Sequence, residues 1–153
     1  MKNDVKEFHL VCEPVVREFA PGMKVNMWGF NGSSPGPTIE AVEGDHIRIF
    51  VTNKLPEPTA IHWHGIMLPS GMDGVSGLTQ PGIPVGKTFV YEFTLQRSGS
   101  HFYHTHLDDQ LQLAMGMYGC LVVHPKDPRQ LEVDRDFMFI LASYDIEPGA
   151  MTP

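Results

Sequence analysis

Two short patterns of the same kind carry the chemistry of this chain. His62-Trp63-His64 and His104-Thr105-His106 use four of its eight histidines. On a β-strand, residues two apart share a face, so each pattern presents two imidazoles side by side. Two such pairs on neighbouring strands would surround one small volume with four ring nitrogens able to bind metal. Imidazole serves copper, zinc, iron and nickel, so residue type alone leaves the metal open. A single His-x-His is commonly surface chemistry. Two of them, about forty residues apart and each beside aromatic residues, do not arise from local sequence bias and point to a metal site. The other histidines read differently. His9 and His46 sit at polar positions as solvated side chains, and His124 closes a strand before Pro125. His101 stands at an odd offset from His104, which turns it to the opposite face.

The elements that must hold these pairs read as strands. Phe8 to Cys12 and Val15 to Phe19 are expected as two strands divided by Pro14, followed by Val25 to Phe30 and Thr38 to Val42. Ile47, Ile49 and Val51 alternate with His46, Arg48, Phe50 and Thr52, the period-two pattern of a half-buried strand. Ile61 to Gly65 is a short strand before a long Gly/Pro/Ser loop over Leu68 to Gly86. Phe89, Tyr91, Phe93 and Leu95 alternate again, Ser100 to Thr105 and Tyr118 to Val123 follow, and Phe137 to Leu141 is expected as one more strand. Only Leu107 to Met115 looks helical, with Leu107, Leu111 and Met115 at four-residue spacing. Many short strands punctuated by 15 glycines and 13 prolines, with long connections between them, predict an all-β Greek-key sandwich with one short helix.

Composition bounds the rest. A length of 153 residues suits one domain, and 42% hydrophobic against 19% charged residues is a globular balance. A net charge of −7 without any basic cluster gives no footing for nucleic acid or an anionic membrane. No apolar run is long enough to span a bilayer, and the opening MKNDVKEF lacks the order of a secretory signal. Cys12 and Cys120 have no metal-type spacing and are expected as buried free thiols.

At this point the sequence resembles a family. His62-Trp63-His64-Gly65, Asp73-Gly74-Val75, Thr79-Gln80-Pro81-Gly82-Ile83-Pro84-Val85-Gly86 and Gly99-Ser100-His101-Phe102-Tyr103-His104-Thr105-His106 are similar to the first cupredoxin domain of multicopper oxidases. Asn31-Gly32, Pro35-Gly36-Pro37-Thr38-Ile39 and Glu43-Gly44-Asp45 resemble that family's N-terminal signature, so the likeness runs from about residue 8 to residue 144. The resemblance implies a cupredoxin-like (plastocyanin-like) domain over residues 1–145. Residues 146–153 would begin an interdomain linker at which a truncated chain stops. It further implies a trinuclear copper centre held by eight histidines from two cupredoxin domains, four of them from this one. His62 would serve the type 2 copper, and His64, His104 and His106 the type 3 pair. The remaining ligands would come from HxxHxH and HCHxxxH motifs on a further cupredoxin domain, in the same chain or another subunit. There a blue copper takes electrons from substrate, and dioxygen is reduced to water at the cluster.

The same resemblance supplies a test for a type 1 copper in this chain. The family's Cys, His and Met slots for that site hold Thr105, Gln110 and Met115 here. Threonine has no thiolate, so no type 1 copper is expected, and Met115, Met117 and Met138 are expected as core packing. Asp73, in the Asp-Gly turn after the first pair, matches the family's acidic residue near the type 2 copper and is the candidate proton relay. Asp108 and Asp109 could also face the site, but a helix-start pair favoured by the helix dipole is the simpler reading. Two other classes stay open. One is a stand-alone copper or zinc binder without turnover, with Met67, Met72, Met115 and Met117 near its motifs. The other is a structural module without metal. The expectation is therefore a multicopper oxidase part that is inactive alone, and the resemblance implies a periplasmic or secreted setting.

Overall fold

The computed structural model describes residues 5–127, 129 and 132–153. The first four residues of the opening, and Pro128 and Gln130 of the polar stretch after Pro125, lie outside the described residues. Among the described residues, eight strands form two four-stranded sheets. They are β1 (Val5–Ala20), β2 (Met23–Phe30), β3 (Gly36–Val42), β4 (His46–Asn53), β5 (Ile61–His64), β6 (Thr88–Thr94), β7 (Gly99–Thr105) and β8 (Tyr118–His124). The first sheet runs β2-β1-β4-β6 and the second β3-β8-β7-β5. β1 pairs in parallel with β4 and β3 with β8; the other ladders are antiparallel. This is the expected all-β sandwich, and its two inner faces bury one core that includes Ile47, Ile49, Val51, Trp63, Tyr91, Phe93, Tyr103 and Leu121.

Four local expectations need correction. Pro14 does not divide the first strand, because β1 is continuous over 16 residues. Up to Cys12 the strand pairs with β4, and from Cys12 onward with β2 alone, so Pro14 has a neighbour on one side only. A residue without an N–H is tolerated where one edge of the strand is open. The helical segment shrinks to a π-helical turn at Asp109–Leu113. The Leu107, Leu111, Met115 spacing does not mark its inner face, since Leu107 and Leu111 are exposed and the one buried residue of the turn is Gln112. Phe137 to Leu141 joins neither sheet among the described residues. It alternates as a strand does, but Phe137, Phe139 and Leu141 point outward at 67%, 78% and 96% exposure while Met138 and Ile140 are half-buried. Extended, this continuous apolar run has two apolar faces, and only one of them can lie against this domain. Met115 and Met117 are buried as expected, whereas Met138 is not in the core.

Beyond this segment the chain crosses to the first sheet. Tyr144, Ile146 and Met151 pack on Val15, Val25 and Met27, and the Asn26 amide donates to the Met151 carbonyl at 2.8 Å. Both cysteines are buried free thiols, and burial pushes the Cys12 thiol far above its usual range.

Candidate metal centre

The site is built on the antiparallel pair β5–β7, whose register places Ile61 opposite Thr105, His62 opposite His104, Trp63 opposite Tyr103 and His64 opposite Phe102. Alternation sends Ile61, Trp63, Tyr103 and Thr105 into the core, where all four are fully buried. The histidines therefore stand on the outer face of the second sheet, at the edge that β5 forms. Behind them Trp63 packs against Tyr91 at 5.1 Å and Tyr103 at 6.0 Å between ring centroids, a rigid aromatic backing for a four-residue edge strand. His106 follows the end of β7, and its amide extends the ladder by donating to the Ala60 carbonyl at 2.8 Å.

All four sequence-predicted histidines come together. The His62 ring lies 5.4 Å from those of His64, His104 and His106, so it is the centre of the group. One ring nitrogen from each of His62, His64 and His104 falls within 4.8 Å of the others. His106 stands beside this trio, 6.0 Å from His104 between centroids. The free nitrogens are set by what the others touch. Nδ1 of His62 donates to the Asp73 carbonyl at 2.7 Å, and Nδ1 of His104 donates to the Thr105 carbonyl at 2.7 Å. Each is thereby held in the tautomer that leaves Nε2 unprotonated and able to accept. Nδ1 of His64 lies 3.2 Å from Nε2 of His104, so both aim at one space. Burial, opposed in part by its bond to Thr105 and reinforced by the other imidazoles, holds His104 below the ordinary imidazole value. Neutral imidazole is the form that binds metal, and the donor set fits a late first-row ion such as copper.

The loop after β5 is as constrained as the strands. Gly74 has φ +79°, and a Cβ there would meet the Ile61 carbonyl oxygen at 1.7 Å. Only glycine lets the backbone come this close, and that approach brings the Asp73 carbonyl to His62. The Asp73 carboxylate is a second contact, with Oδ1 at 3.3 Å from His62 Nδ1. Asp108 caps the π turn by accepting from the Leu111 amide at 3.2 Å, while Asp109 turns toward His106, with Oδ2 at 3.5 Å from its Nδ1.

The remaining histidines divide as follows. His46 is held by Glu92 at 2.8 Å and Thr94 at 3.0 Å rather than solvated, and His9 stacks on Phe50. His124 meets Glu40 at 3.0 Å. His101 is turned away from the metal group, as its offset predicted, but its ring fills the space beside Gly65 and Gly99, with Nε2 buried and without a hydrogen-bond partner among the described residues. Sequence reading missed three contributors: His101, Phe102 and Gln112. Phe102 stacks on His64 at 4.5 Å, as the residue opposite it in the ladder, a contact that strand register alone could have supplied.

Comparison with known proteins now decides the family. The sequence profile of the multicopper oxidases matches residues 12–128. The chain belongs to the multicopper oxidase family. This multicopper oxidase domain is 40% identical over 126 residues to copper resistance protein A of Pseudomonas syringae pv. tomato, covering 82% of the chain and 20% of that protein. It is 39% identical over 121 residues to L-ascorbate oxidase of Cucumis sativus, covering 76% of the chain and 20% of the relative. Among solved structures, it superposes on a multi-copper oxidase from Pseudomonas thermotolerans with a TM-score of 0.79 at 40% identity, over 81% of this chain and 30% of that one. A blue copper oxidase from Nitrosomonas europaea gives 0.78 at 36% identity, over 81% and 40%. The domain thus spans about a fifth of the length of these curated relatives. It is a mostly β copper-oxidase domain, and among its described residues no helix is long and apolar enough to cross a membrane.

Proposed function

We propose that this domain supplies four histidines to a trinuclear copper cluster completed by another cupredoxin domain. His62 serves the type 2 copper, and His64, His104 and His106 serve the type 3 pair. The observation that carries this reading is the gathering of the four imidazoles at the outer edge of a sheet, with ring nitrogens of His62, His64 and His104 converging outside the core and His106 beside them. A site meant to be complete within one domain would be enclosed by it. Copper, when bound, supplies the one-electron redox chemistry by which a reducing substrate is oxidised and dioxygen is reduced to water. The chain's own residues bind and orient. The Asp73 and Thr105 carbonyls fix two imidazole tautomers, and Phe102 limits the swing of His64. The Asp73 carboxylate, beside His62 and 32% exposed, can take a proton from solvent and hold it at the rim of the site. Thr105 offers no thiolate, so the blue copper belongs to the partner domain, with the HxxHxH and HCHxxxH motifs. A periplasmic or secreted setting goes with this reading.

The test uses the assembled oxidase. Replacing His62, His64, His104 or His106 by Ala is expected to empty the cluster of copper and abolish oxygen uptake. Full copper loading with undiminished oxygen consumption would sink the assignment. Asp73→Asn is expected to keep copper while slowing oxygen reduction, and an unchanged rate across pH would remove the relay role. One observation favours a second reading, a stand-alone copper or zinc binder: three of the nitrogens already form a single group within this chain. Tight stoichiometric copper on the isolated chain, with all four histidines required, would establish it. The leading reading expects weak binding and no oxygen uptake from the chain alone.

A further inference from the structure

β5 carries half of the histidines, yet it is a four-residue strand at a sheet edge, paired on one side only. Such a strand frays, and a small slide of β5 against β7 would pull His62 and His64 away from His104 and His106. Something must lock the open end of this ladder. Just beyond the Ile61–Thr105 pair lies a wholly buried polar group, Gln112, the one side chain that the π turn directs inward.

We propose that Gln112 is a positioning residue for the metal centre, a clamp that fixes the lead-in of β5 to the end of β7 and so sets the spacing of the two histidine pairs. The inference rests on the half-site reading given above. Every hydrogen-bonding position of the Gln112 amide is used. Its Oε1 accepts from the Thr105 hydroxyl at 2.6 Å and the Thr59 hydroxyl at 2.7 Å. Its Nε2 donates to the Glu57 carboxylate at 2.7 Å and the Pro58 carbonyl at 2.8 Å. Two donors and two lone pairs are all that such an amide has.

The partners lie where they matter. Glu57, Pro58 and Thr59 are the residues that lead into β5. Thr105 stands between His104 and His106, and its carbonyl is the group that holds His104 Nδ1. Thr59 is tied from its other side to Ile83 by paired backbone bonds of 3.2 and 2.6 Å. Thr59, Thr105 and Gln112 are all fully buried, so neither hydroxyl has water as an alternative partner. The route from clamp to metal is short: the Gln112 amide to the Thr105 hydroxyl, then the Thr105 carbonyl to the His104 ring.

The experiment compares Gln112→Met, Thr105→Val and Thr105→Ser in the 153-residue chain. Methionine keeps the volume and loses all four bonds; serine keeps the hydroxyl that valine lacks. Cu(II) is the probe, with affinity from calorimetry and ligand geometry from the EPR spectrum. Long-range proton–nitrogen NMR of the metal-free chain reads the tautomer and surroundings of His104. Gln112→Met and Thr105→Val are each expected to weaken Cu(II) binding about tenfold, the low end for groups that hold ligands in place. Both should shift the His104 ring resonances, and Thr105→Ser should restore both readouts. A Gln112→Met chain that is less stable to urea but has wild-type copper affinity and wild-type His104 resonances would overturn the proposal. If Gln112→Met does not fold, the Thr105 pair decides, and equal behaviour of Val and Ser overturns it. If His62→Ala leaves Cu(II) affinity unchanged, the half-site reading fails instead, and the clamp is judged on the His104 resonances alone.

Discussion

The two outer faces of this sandwich both carry histidines, and they use them in opposite ways. On the first sheet His46 is held by Glu92 and Thr94, Arg48 is bridged to Glu92 and Glu7, and His9 lies flat on Phe50. Every polar ring there is answered by a charge or an aromatic face from a neighbouring strand. On the second sheet, at the β5–β7 edge, the imidazoles face one another. Nδ1 of His62 and of His104 donates to a backbone carbonyl, which fixes the tautomer, and Nδ1 of His64 meets Nε2 of His104. Each β-face reads from the sequence as alternating polar residues, so the difference lies in what stands opposite. A histidine with a carboxylate across the ladder is held by it, whereas a histidine across from a histidine sets two potential metal-binding rings side by side.

The largest effect is expected from the shared support of the metal face. Trp63 is fully buried directly between His62 and His64. Trp63→Ala should cost about 3–5 kcal/mol, the usual range for deleting a core aromatic, and should disperse both histidine pairs. Urea unfolding measures the first and Cu(II) affinity the second. Wild-type affinity in a chain destabilised to that extent would mean that the site does not depend on its aromatic backing. Next in size is His62→Ala. His62 is the centre of the group, so the loss should exceed the roughly 10–100-fold typical of groups that merely orient ligands. His46→Ala, its counterpart on the first sheet, should leave Cu(II) binding unchanged. Equal losses in the two variants would erase the contrast between the faces.

A smaller effect isolates the loop that holds His62. Gly74→Ala adds a Cβ into the Ile61 carbonyl at a backbone conformation that disfavours any side chain. The loop must retreat, and the Asp73 carbonyl leaves His62 Nδ1. The expected result is Cu(II) binding weaker by about tenfold with the fold retained, read by calorimetry and circular dichroism. Asp73→Ala should do less to affinity, because the 2.7 Å bond comes from its backbone. A larger loss from Asp73→Ala than from Gly74→Ala would make the carboxylate, not the carbonyl, the holder of His62.

Strand period and repeated motif were legible in the sequence, and they sufficed for the sandwich and for the meeting of His62, His64, His104 and His106. What stayed hidden depends on pairing. The continuity of β1 through Pro14 follows from a change of neighbour at Cys12, which no local signal announces. The leucine spacing at 107, 111 and 115 suggested a helical face, but the turn inserts an extra residue and aims Gln112 inward instead. A buried glutamine looks like any exposed one until its four partners, from two segments, are assembled. Phe137 to Leu141 is a continuous apolar run of strand length that lacks a ladder, since hydrophobicity reports that a segment can be buried and not which sheet it joins.

The smallest effect tests the first sheet in its own terms. Hydrogen bonds from Arg48 and His46, outweighing the opposing cost of partial burial, push the Glu92 carboxyl down to about 2. A carboxyl depressed in the folded state adds stability that is present above its unfolded value near 4.5 and is lost as pH falls from there toward 2. Glu92→Gln should therefore flatten the acid limb of the stability curve, measured as urea midpoints between neutral pH and pH about 3. The size of the change should be modest, because Arg48 and Glu92 are a third exposed and solvent screens the pair. Cu(II) affinity at neutral pH should not move, since the ion pairs of this network join β1, β4 and β6, all strands of the first sheet. An acid limb as steep as wild type would mean that the ion pairs of the first sheet are decoration. A change in copper affinity would mean that the two faces are coupled through the core that separates them.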